Sequence, residues 1–556
     1  MSTDPFVHLH VASGYSLQYG ASHPRDLVQR AVDHGMGALA LTDRDGLYGA
    51  VKFALAAQQA GIAPLLGVDL ATAPTGLAAG LPGWADPMVA TGSGSVSGRR
   101  TPARGGAVVD QRRPRVTVLA LAGSSVRTTG SGRGWAQLCR LVSAAHLAST
   151  HLGGARGTPV ADLALVAEHA VDRPATGAPL TGGPLTGGPL AGGTAGSEGE
   201  AALVVLLGPG SEVGRAVLAR RPDLAHAVLA RWRDALPAGS LAIEVVCHHG
   251  PPRGPLSTDH AGRMLALARE AGVPAVLTNA VRHADPSGAA TVDVLDAARR
   301  LVALDTRHLD RVTAQGHLAD GASMARTAAE VAATLGGGSH LAREQARRLL
   351  DDTAALAARC VLDPRTDLGI GSVHLPEPGV LGLRPDQRPG AVLRERALAA
   401  VPTRYPGVSN AMLTRVQRRL DDELDVIDHL GYPTYFLTVA AVCDLVREMG
   451  VRVAARGSGA GSLVNHLLGI SGIEPLEHGL LMERFCSPLR AQLPDIDLDV
   501  ESARRTEVYQ QVLERFGGDR VTCVSMMDTY RVRHAVRDVG AALGLPPGEV
   551  DAIAKA

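Results

Sequence analysis

From residue 5 to residue 70, short apolar runs alternate with longer stretches in which apolar residues recur every three or four positions. The pattern predicts a strand over Phe6–His10, a helix from Pro24 to Gly35 entered from Ser22, a strand over Ala38–Thr42, a helix from Gly49 to Ala60 and a strand over Ala63–Asp69. Strand–helix–strand repetition implies a parallel sheet or barrel, whose sites lie at the carboxyl ends of the strands. His8, His10, Asp43 and Asp69 fall at or beside such ends. His8 and His10 flank one residue, so on a strand they point the same way, as a metal pair would. Polar barrel-mouth residues holding no metal are the competing reading.

Periodicity is lost over residues 71–115, where small polar residues from Thr91 to Ser95 precede Arg99, Arg100, Arg104, Arg112, Arg113 and Arg115. This is the composition of a mobile insertion rather than of core. A strand pattern returns at Val116–Ala122 and a helical one at Ala136–Ala148. A five-residue unit then repeats from Pro179, Pro184 and Pro189, too rich in Gly and Pro to bury a core, and reads as a flexible loop within residues 174–200. Strands at Ala201–Leu207, Leu241–Val246 and Pro274–Asn279 complete a barrel domain over residues 1–290. A helical segment and a Pro- and Gly-rich connector fill 291–389, and a mostly helical domain fills 390–556. The expected fold class is multidomain α/β.

The last domain holds the stretches richest in chemistry. In Pro494-Asp495-Ile496-Asp497-Leu498-Asp499-Val500 carboxylates alternate with apolar residues, so on a strand Asp495, Asp497 and Asp499 share one face and Ile496, Leu498 and Val500 the other. Like charges in a row repel, and divalent cations are the usual remedy, completed by a substrate's phosphates. Upstream, an apolar run leads into Arg456-Gly457-Ser458-Gly459-Ala460-Gly461-Ser462 and out into a helical pattern. Glycines admit phosphate oxygens close to backbone N–H groups, a helix N-terminus favours negative charge, and Arg456 can fork onto a phosphate. The loop alone is a weak signal, more often a plain turn than a phosphate site, and the strand alone also admits the reading of a solvated face. Together they are the two parts that phosphoryl transfer requires.

Composition adds limits. Lys plus Arg and Asp plus Glu are 55 each, so any nucleic-acid groove has to be local. Six scattered cysteines show no zinc spacing and read as reduced thiols. With no signal-peptide pattern and no apolar run of membrane-spanning length, the expected location is the cytoplasm and no membrane partner is expected.

These residues resemble the bacterial C-family DNA polymerases, the DNA polymerase III α subunits. The Gly-Ser loop and the Asp-x-Asp strand, preceded by Gly431-Tyr432-Pro433-Thr434-Tyr435-Phe436-Leu437 and followed by Arg537-Asp538-Val539-Gly540, look like that family's palm. His8-Leu9-His10, Ala40-Leu41-Thr42-Asp43 and Gly67-Val68-Asp69 look like its polymerase-and-histidinol-phosphatase (PHP) domain. Thr529-Tyr530-Arg531-Val532-Arg533 and Asn279-Ala280-Val281-Arg282 are more similar to the error-prone, damage-associated branch than to the main replicase. The resemblance implies a PHP-type barrel followed by a nucleotidyltransferase-like palm with helical thumb elements. It implies Asp495 and Asp497 as catalytic ligands of two Mg²⁺ ions, and Arg456, Gly457, Ser458, Gly459 and Ser462 as the nucleotide-binding set. Arg531, Arg533 and Arg537 become candidates for DNA or phosphate contacts, with primer-template DNA and deoxynucleoside triphosphates as partners. The longer form would also meet a sliding clamp and mutagenesis accessory proteins.

Two departures from the family pattern follow. Metal-binding PHP domains carry Asp where Tyr19 stands, His where Arg44 stands and Asp-x-His where Ala280 and Arg282 stand, so His8, His10, Asp43 and Asp69 are expected to be a vestigial site without PHP metals. The family's third catalytic carboxylate has no counterpart among Asp519, Asp528, Asp538 and Asp551, so the chain is expected to stop before the fingers and C-terminal modules. The competing functions are a catalytically incomplete polymerase-like scaffold binding DNA or repair partners, and a PHP phosphoesterase.

Overall fold

The computed structural model describes residues 4–78, 81, 113–122, 133–151, 159–171, 200–487, 493–517, 521, 527 and 529–556. The Pro-Gly repeat of residues 179–193, most of the 71–115 insertion, Asp519, Asp528 and Cys523 lie outside the described residues. The described residues up to 371, together with those from 527 onward, form one compact unit, and those from 372 to 526 form another.

In the first unit β1 (Ala38–Arg44), β2 (Ala63–Thr72), β3 (Arg115–Ala120), β4 (Val160–Ala161), β5 (Leu203–Leu207), β6 (Leu241–Val246) and β7 (Ala275–Thr278) build one sheet ordered β1-β2-β3-β5-β6-β7, with β4 paired to β2. The sheet is mixed. β1 with β2, β5 with β6 and β6 with β7 are parallel, but β3 runs antiparallel to both β2 and β5. The parallel pairing expected over residues 5–70 is present between β1 and β2, and β3 lies antiparallel beside β2.

Phe6–His10 is extended without being a regular strand, because its backbone serves two neighbours in turn. The His8 and Val11 carbonyls accept from Ala40 and Thr42 at 3.0 and 2.8 Å, while the His10 carbonyl accepts from Val281 at 2.9 Å and the Ala12 N–H donates to Val281 at 2.8 Å. This segment ties the β1 edge to the chain leaving β7, which curls the sheet.

Side chains alternate across each strand, so the curled sheet has an outer and an inner row. Leu39, Leu41, Leu66, Val68, Val118 and Ile243 pack with helix residues such as Leu27, Phe53, Leu138 and Met264. Ala40, Leu65, Leu119, Leu206, Ala242 and Val276 form a separate inner cluster with Leu9. The helix Gly338–Arg359 closes one end: Leu356 and Cys360 join the inner cluster, and Thr353 Oγ1 accepts from the Leu277 N–H at 2.8 Å. Each fully buried Leu of this kind contributes about 1.5–3 kcal/mol. Two and four residues further along the same inner row the side chains turn polar, as Thr42 and Arg44 on β1, Asp69 on β2, Thr117 and Arg115 on β3, Glu244 on β6 and Thr278 on β7. The helices Val532–Ala542 and Pro547–Lys555 also belong to this unit, where the Leu304 N–H donates to the Ala542 carbonyl at 2.7 Å.

The second unit is built on helices Pro389–Arg404, Asn410–His429 and Pro433–Glu448, whose apolar faces share Leu393, Leu420, Leu424, Ile427, Phe436 and Phe485. Its two strands, β8 (Val453–Arg456) and β9 (Asp497–Val500), pair antiparallel with Arg456 opposite Asp497. All five described cysteines are free thiols, and no described helix is long and apolar enough to cross a membrane.

Asp43 tests how the first unit tolerates a buried charge. It is 2% exposed and accepts from the Ser13 N–H, the Ser13 hydroxyl and the Ser16 hydroxyl at 2.7, 2.9 and 2.8 Å. Burial pushes its carboxyl up to about 6, against the pull of those donors. Because the folded value lies above the unfolded one of about 3.9, the stability from this group is complete at lower pH and is lost as pH rises through about 6. Asp43→Asn keeps an acceptor for the serines and removes the titration. Urea unfolding from about pH 4 to 7 should show a flatter loss of stability in Asp43→Asn than in the unmodified chain, and equal slopes would refute the assignment.

Candidate functional site

The β8–β9 pair joins the two chemical stretches of the second unit. Asp497 and Asp499 are exposed while Leu498 and Val500 are half-buried, which is the expected alternation, and Asp495 is exposed on the approach to β9. The Ile496 N–H donates to Tyr435 Oη at 3.0 Å. Burial raises the pKa of Tyr435, and the nearby charges of Asp495 and Asp497 raise it further. The structure thus places both carboxylates near one phenol. From β8, Arg456 reaches Asp497 at 3.5 Å and Asp499 at 3.1 Å. Gly457 follows with φ 74°, a conformation that favours glycine, and a Cβ there would lie 3.8 Å from Asp497 Oδ2. Arg456, Gly457 and Ser458 are exposed beside the carboxylates.

The rest of the loop faces inward, where the Ser462 hydroxyl is already engaged. Gly459 and Ser462 are buried. The Ser462 hydroxyl donates to Glu423 Oε2 at 2.8 Å, and the N–H groups of Leu463 and Val464 donate to the same carboxylate at 3.0 and 3.1 Å. Arg419 Nε completes the set on Oε1 at 2.7 Å. The start of the short helix Leu463–Leu467 is filled by the protein's own carboxylate, which is 1% exposed, and is closed to a phosphate. Glu423 was not singled out from the sequence, although its spacing carries the signal: it stands with Leu420, Leu424 and Ile427 on one helical face, where a carboxylate has to find donors.

In the first unit the four expected PHP residues do not converge. His8 is fully buried with Nε2 on the Ala319 carbonyl at 2.9 Å, and burial lowers its pKa to about 4. Asp43 is held by Ser13 and Ser16. Only His10 and Asp69 line the cleft at the sheet's mouth, a void of about 130 Å³, and both are engaged. His10 Nδ1 lies 2.7 Å from Glu244 Oε1; burial works against its charged form, but the Glu244 carboxylate wins and raises the pKa. Arg115 Nε donates to both oxygens of Asp69 at 3.0 Å; burial opposes ionisation, yet that guanidinium holds the carboxyl below its ordinary value. Arg282 pairs with Asp296 and stacks 3.9 Å from the centre of the Tyr19 ring, and Arg44 covers the same ring at 4.7 Å. Arg44, Arg113, Arg115, Arg215, Arg282 and Arg311 line the cleft against the carboxylates Asp69, Glu244 and Asp310. No group of three His, Cys, Asp or Glu able to hold a metal occurs among the described residues. A guanidinium-lined cleft with its acids already paired does not fit a divalent cation.

Arg531, Arg533 and Arg537 are exposed, but they belong to the first unit, not to the unit of Asp495 and Asp497, and Arg537 pairs with Asp551 at 2.7 Å. Of the other acids considered, Asp538 accepts from Tyr530 Oη at 2.6 Å, and Tyr530 in turn bonds Gln18 Nε2 at 3.2 Å.

Residues 391–556 match the family model described as the bacterial DNA polymerase III alpha NTPase domain, and residues 8–248 match the PHP domain. An error-prone DNA polymerase of Nocardia farcinica is 33% identical over 558 residues, covering 100% of this chain and 44% of that protein. Those of Symbiobacterium thermophilum and Mycolicibacterium paratuberculosis are each 32% identical over 99% and 100% of this chain and 42% of their own lengths. The chain spans less than half the length of these relatives. Among solved structures, an amidohydrolase from Chromobacterium violaceum aligns with 50% of this chain and 87% of its own at 16% identity and a TM-score of 0.25, too low to carry an argument.

The two carboxylate sites differ in what their loss should do. Glu423→Ala strands four donors in the interior and should destabilise the second unit by about 3 kcal/mol in chemical denaturation. Arg456→Ala removes only exposed ion pairs and should change stability by less than about 1 kcal/mol. Equal effects would mean that Glu423 does not hold the loop.

Proposed function

Because the chain belongs to the bacterial DNA polymerase III α family, with a PHP domain ahead of the NTPase domain, we propose that its second unit binds deoxynucleoside triphosphates for template-directed DNA synthesis of the error-prone type. The observation that carries this reading is the register of β8 on β9, which sets the exposed tip Arg456-Gly457-Ser458 against Asp497. Two exposed carboxylates without a buried counter-charge suit Mg²⁺, which keeps several waters and takes its remaining ligands from substrate phosphates. Asp495 and Asp497 would hold it, and the ion would supply the charge that lowers the pKa of a primer 3′-hydroxyl and neutralises the triphosphate.

The chain's own residues do the positioning. Arg456 is 62% exposed in its pairs with Asp497 and Asp499, so those contacts are weak and can be exchanged for a bidentate grip on a phosphate. Gly457 leaves the approach to Asp497 free of a side chain. Tyr435, bonded to the Ile496 backbone, fixes the segment between the two carboxylates. Glu423 keeps the base of the loop rigid beneath the exposed tip. Error-prone synthesis belongs to the same reading on the strength of the relatives' names, while a place in DNA repair and encounters with a clamp rest on the motifs that resemble the damage-associated branch. A scaffold that holds DNA without chemistry is the second reading, favoured by the lack, among the described residues, of a group of three His, Cys, Asp or Glu side chains arranged to hold a metal.

Mg²⁺-dependent binding of a fluorescent deoxynucleoside triphosphate separates the two. The folded chain should bind it, and Asp495→Asn or Asp497→Asn should weaken binding at least about tenfold, a loss of roughly 1.4 kcal/mol. A chain that holds primer-template but shows no Mg²⁺-dependent nucleotide binding would leave the scaffold.

A further inference from the structure

The ladder of β8 and β9 opens with Arg456 opposite Asp497, so Asp497 is held by a strand whereas Asp495, two residues earlier, stands ahead of it. Exposure nevertheless alternates from Asp495 through Val500, which keeps Asp495, Asp497 and Asp499 on one face. The backbone that carries this alternation past the end of the ladder is pinned from a helix. Pro494 has no N–H to give, and the Ile496 N–H donates to Tyr435 Oη at 3.0 Å. Tyr435 lies in the first turn of the helix Pro433–Glu448 and is half-buried. Its ring meets Phe436 edge-on, with centroids 5.9 Å apart and planes at 82°, and the fully buried Phe436 meets Phe485 in the same way at 6.0 Å. A phenol held by its ring and turned by only two torsions is a firm anchor.

Exposed carboxylates accept any hard divalent cation, and the choice among cations falls to how firmly the ligands are spaced. Mg²⁺ takes its oxygens at about 2.0–2.1 Å in a near-ideal octahedron, whereas Ca²⁺ accepts about 2.3–2.6 Å and a variable ligand number. Resting on the nucleotide-binding reading of the second unit, we propose that Tyr435 is a positioning residue that fixes Asp495 relative to Asp497 and thereby gives the pair its preference for Mg²⁺ over Ca²⁺. With the Ile496 N–H bonded, the peptide between the carboxylates is kept from rotating, and the two side chains meet a cation from one face. Without that bond the ladder still holds Asp497, but Asp495 swings with the backbone ahead of β9. A larger, adaptable ion tolerates the change and Mg²⁺ does not. The phenol suits this task because it is neutral: burial, and then the nearby charges of Asp495 and Asp497, hold its pKa above the ordinary value, so it adds no charge to the pair. Tyr435 touches neither cation nor nucleotide in this scheme and acts only through the backbone of Ile496.

Binding of a fluorescent deoxynucleoside triphosphate, titrated separately with Mg²⁺ and with Ca²⁺, tests this in the full chain with Tyr435→Phe, which keeps the ring and removes the acceptor. The unmodified chain should half-saturate at a lower concentration of Mg²⁺ than of Ca²⁺. Tyr435→Phe should raise the Mg²⁺ requirement about tenfold and the Ca²⁺ requirement by less than about threefold. Phe436→Leu loosens the same aromatic packing but keeps the hydroxyl, and should leave the ratio of the two requirements unchanged. Equal weakening for both ions in Tyr435→Phe, or none, overturns the proposal. So does a ratio that shifts as much in Phe436→Leu, which would assign the preference to packing and not to the hydroxyl. Absence of metal-dependent nucleotide binding in the unmodified chain would remove the nucleotide-binding reading itself, and this inference with it. Amide exchange in the unmodified chain needs no variant: the Ile496 N–H should exchange slowly before any metal is added, and exchange at the rate of an unbonded amide overturns the assignment.

Discussion

A charge removed from water has to be met by donors or by an opposite charge, and this requirement organises both units. In the second unit the buried Glu423 carboxylate gathers a hydroxyl, two backbone N–H groups and Arg419, and by doing so fixes where the Gly-Ser loop leaves the core. In the first, Asp296 binds Arg282 and Arg299, Asp310 binds Arg299 and Arg300, and Tyr19 lies beneath three guanidiniums. The result is a rigid mouth on the curled sheet, made of arginine and aspartate where metal-binding relatives of the fold would place imidazoles and carboxylates around a cation.

The two units answer opposite demands. The cleft of the first hides its charges and pairs almost all of them internally. The face of the second leaves Asp495, Asp497 and Asp499 in solvent, with Arg456 reaching Asp497 and Asp499. Exposed charges are cheap to re-pair.

Much of this was legible in the sequence because it is local. Period-two alternation located β9 and its carboxylate face, apolar runs located β1, β2, β5, β6 and β7, and helical spacing located the long helices of both units. What was illegible is non-local. Nothing near His8 announces that its nitrogen goes to Ala319, and nothing near Asp69 announces Arg115, which reads as one more arginine of an insertion. Ser462 looked like a phosphate ligand because a Gly-Ser loop before a helix has that form; a glutamate some forty residues upstream had taken the place. The β3 strand itself was legible, but its direction was not, since strand direction depends on the connection and not on the strand's own residues.

The N-terminal segment carries a consequence for synthesis. Residues 8–12 bond on one side to β1, close by in sequence, and on the other to Val281. During translation the segment can settle against β1 early, but its second partner emerges only after β7 has left the ribosome, and until then its outer backbone groups remain an unpaired edge. Closure is thus a late, high-contact-order event.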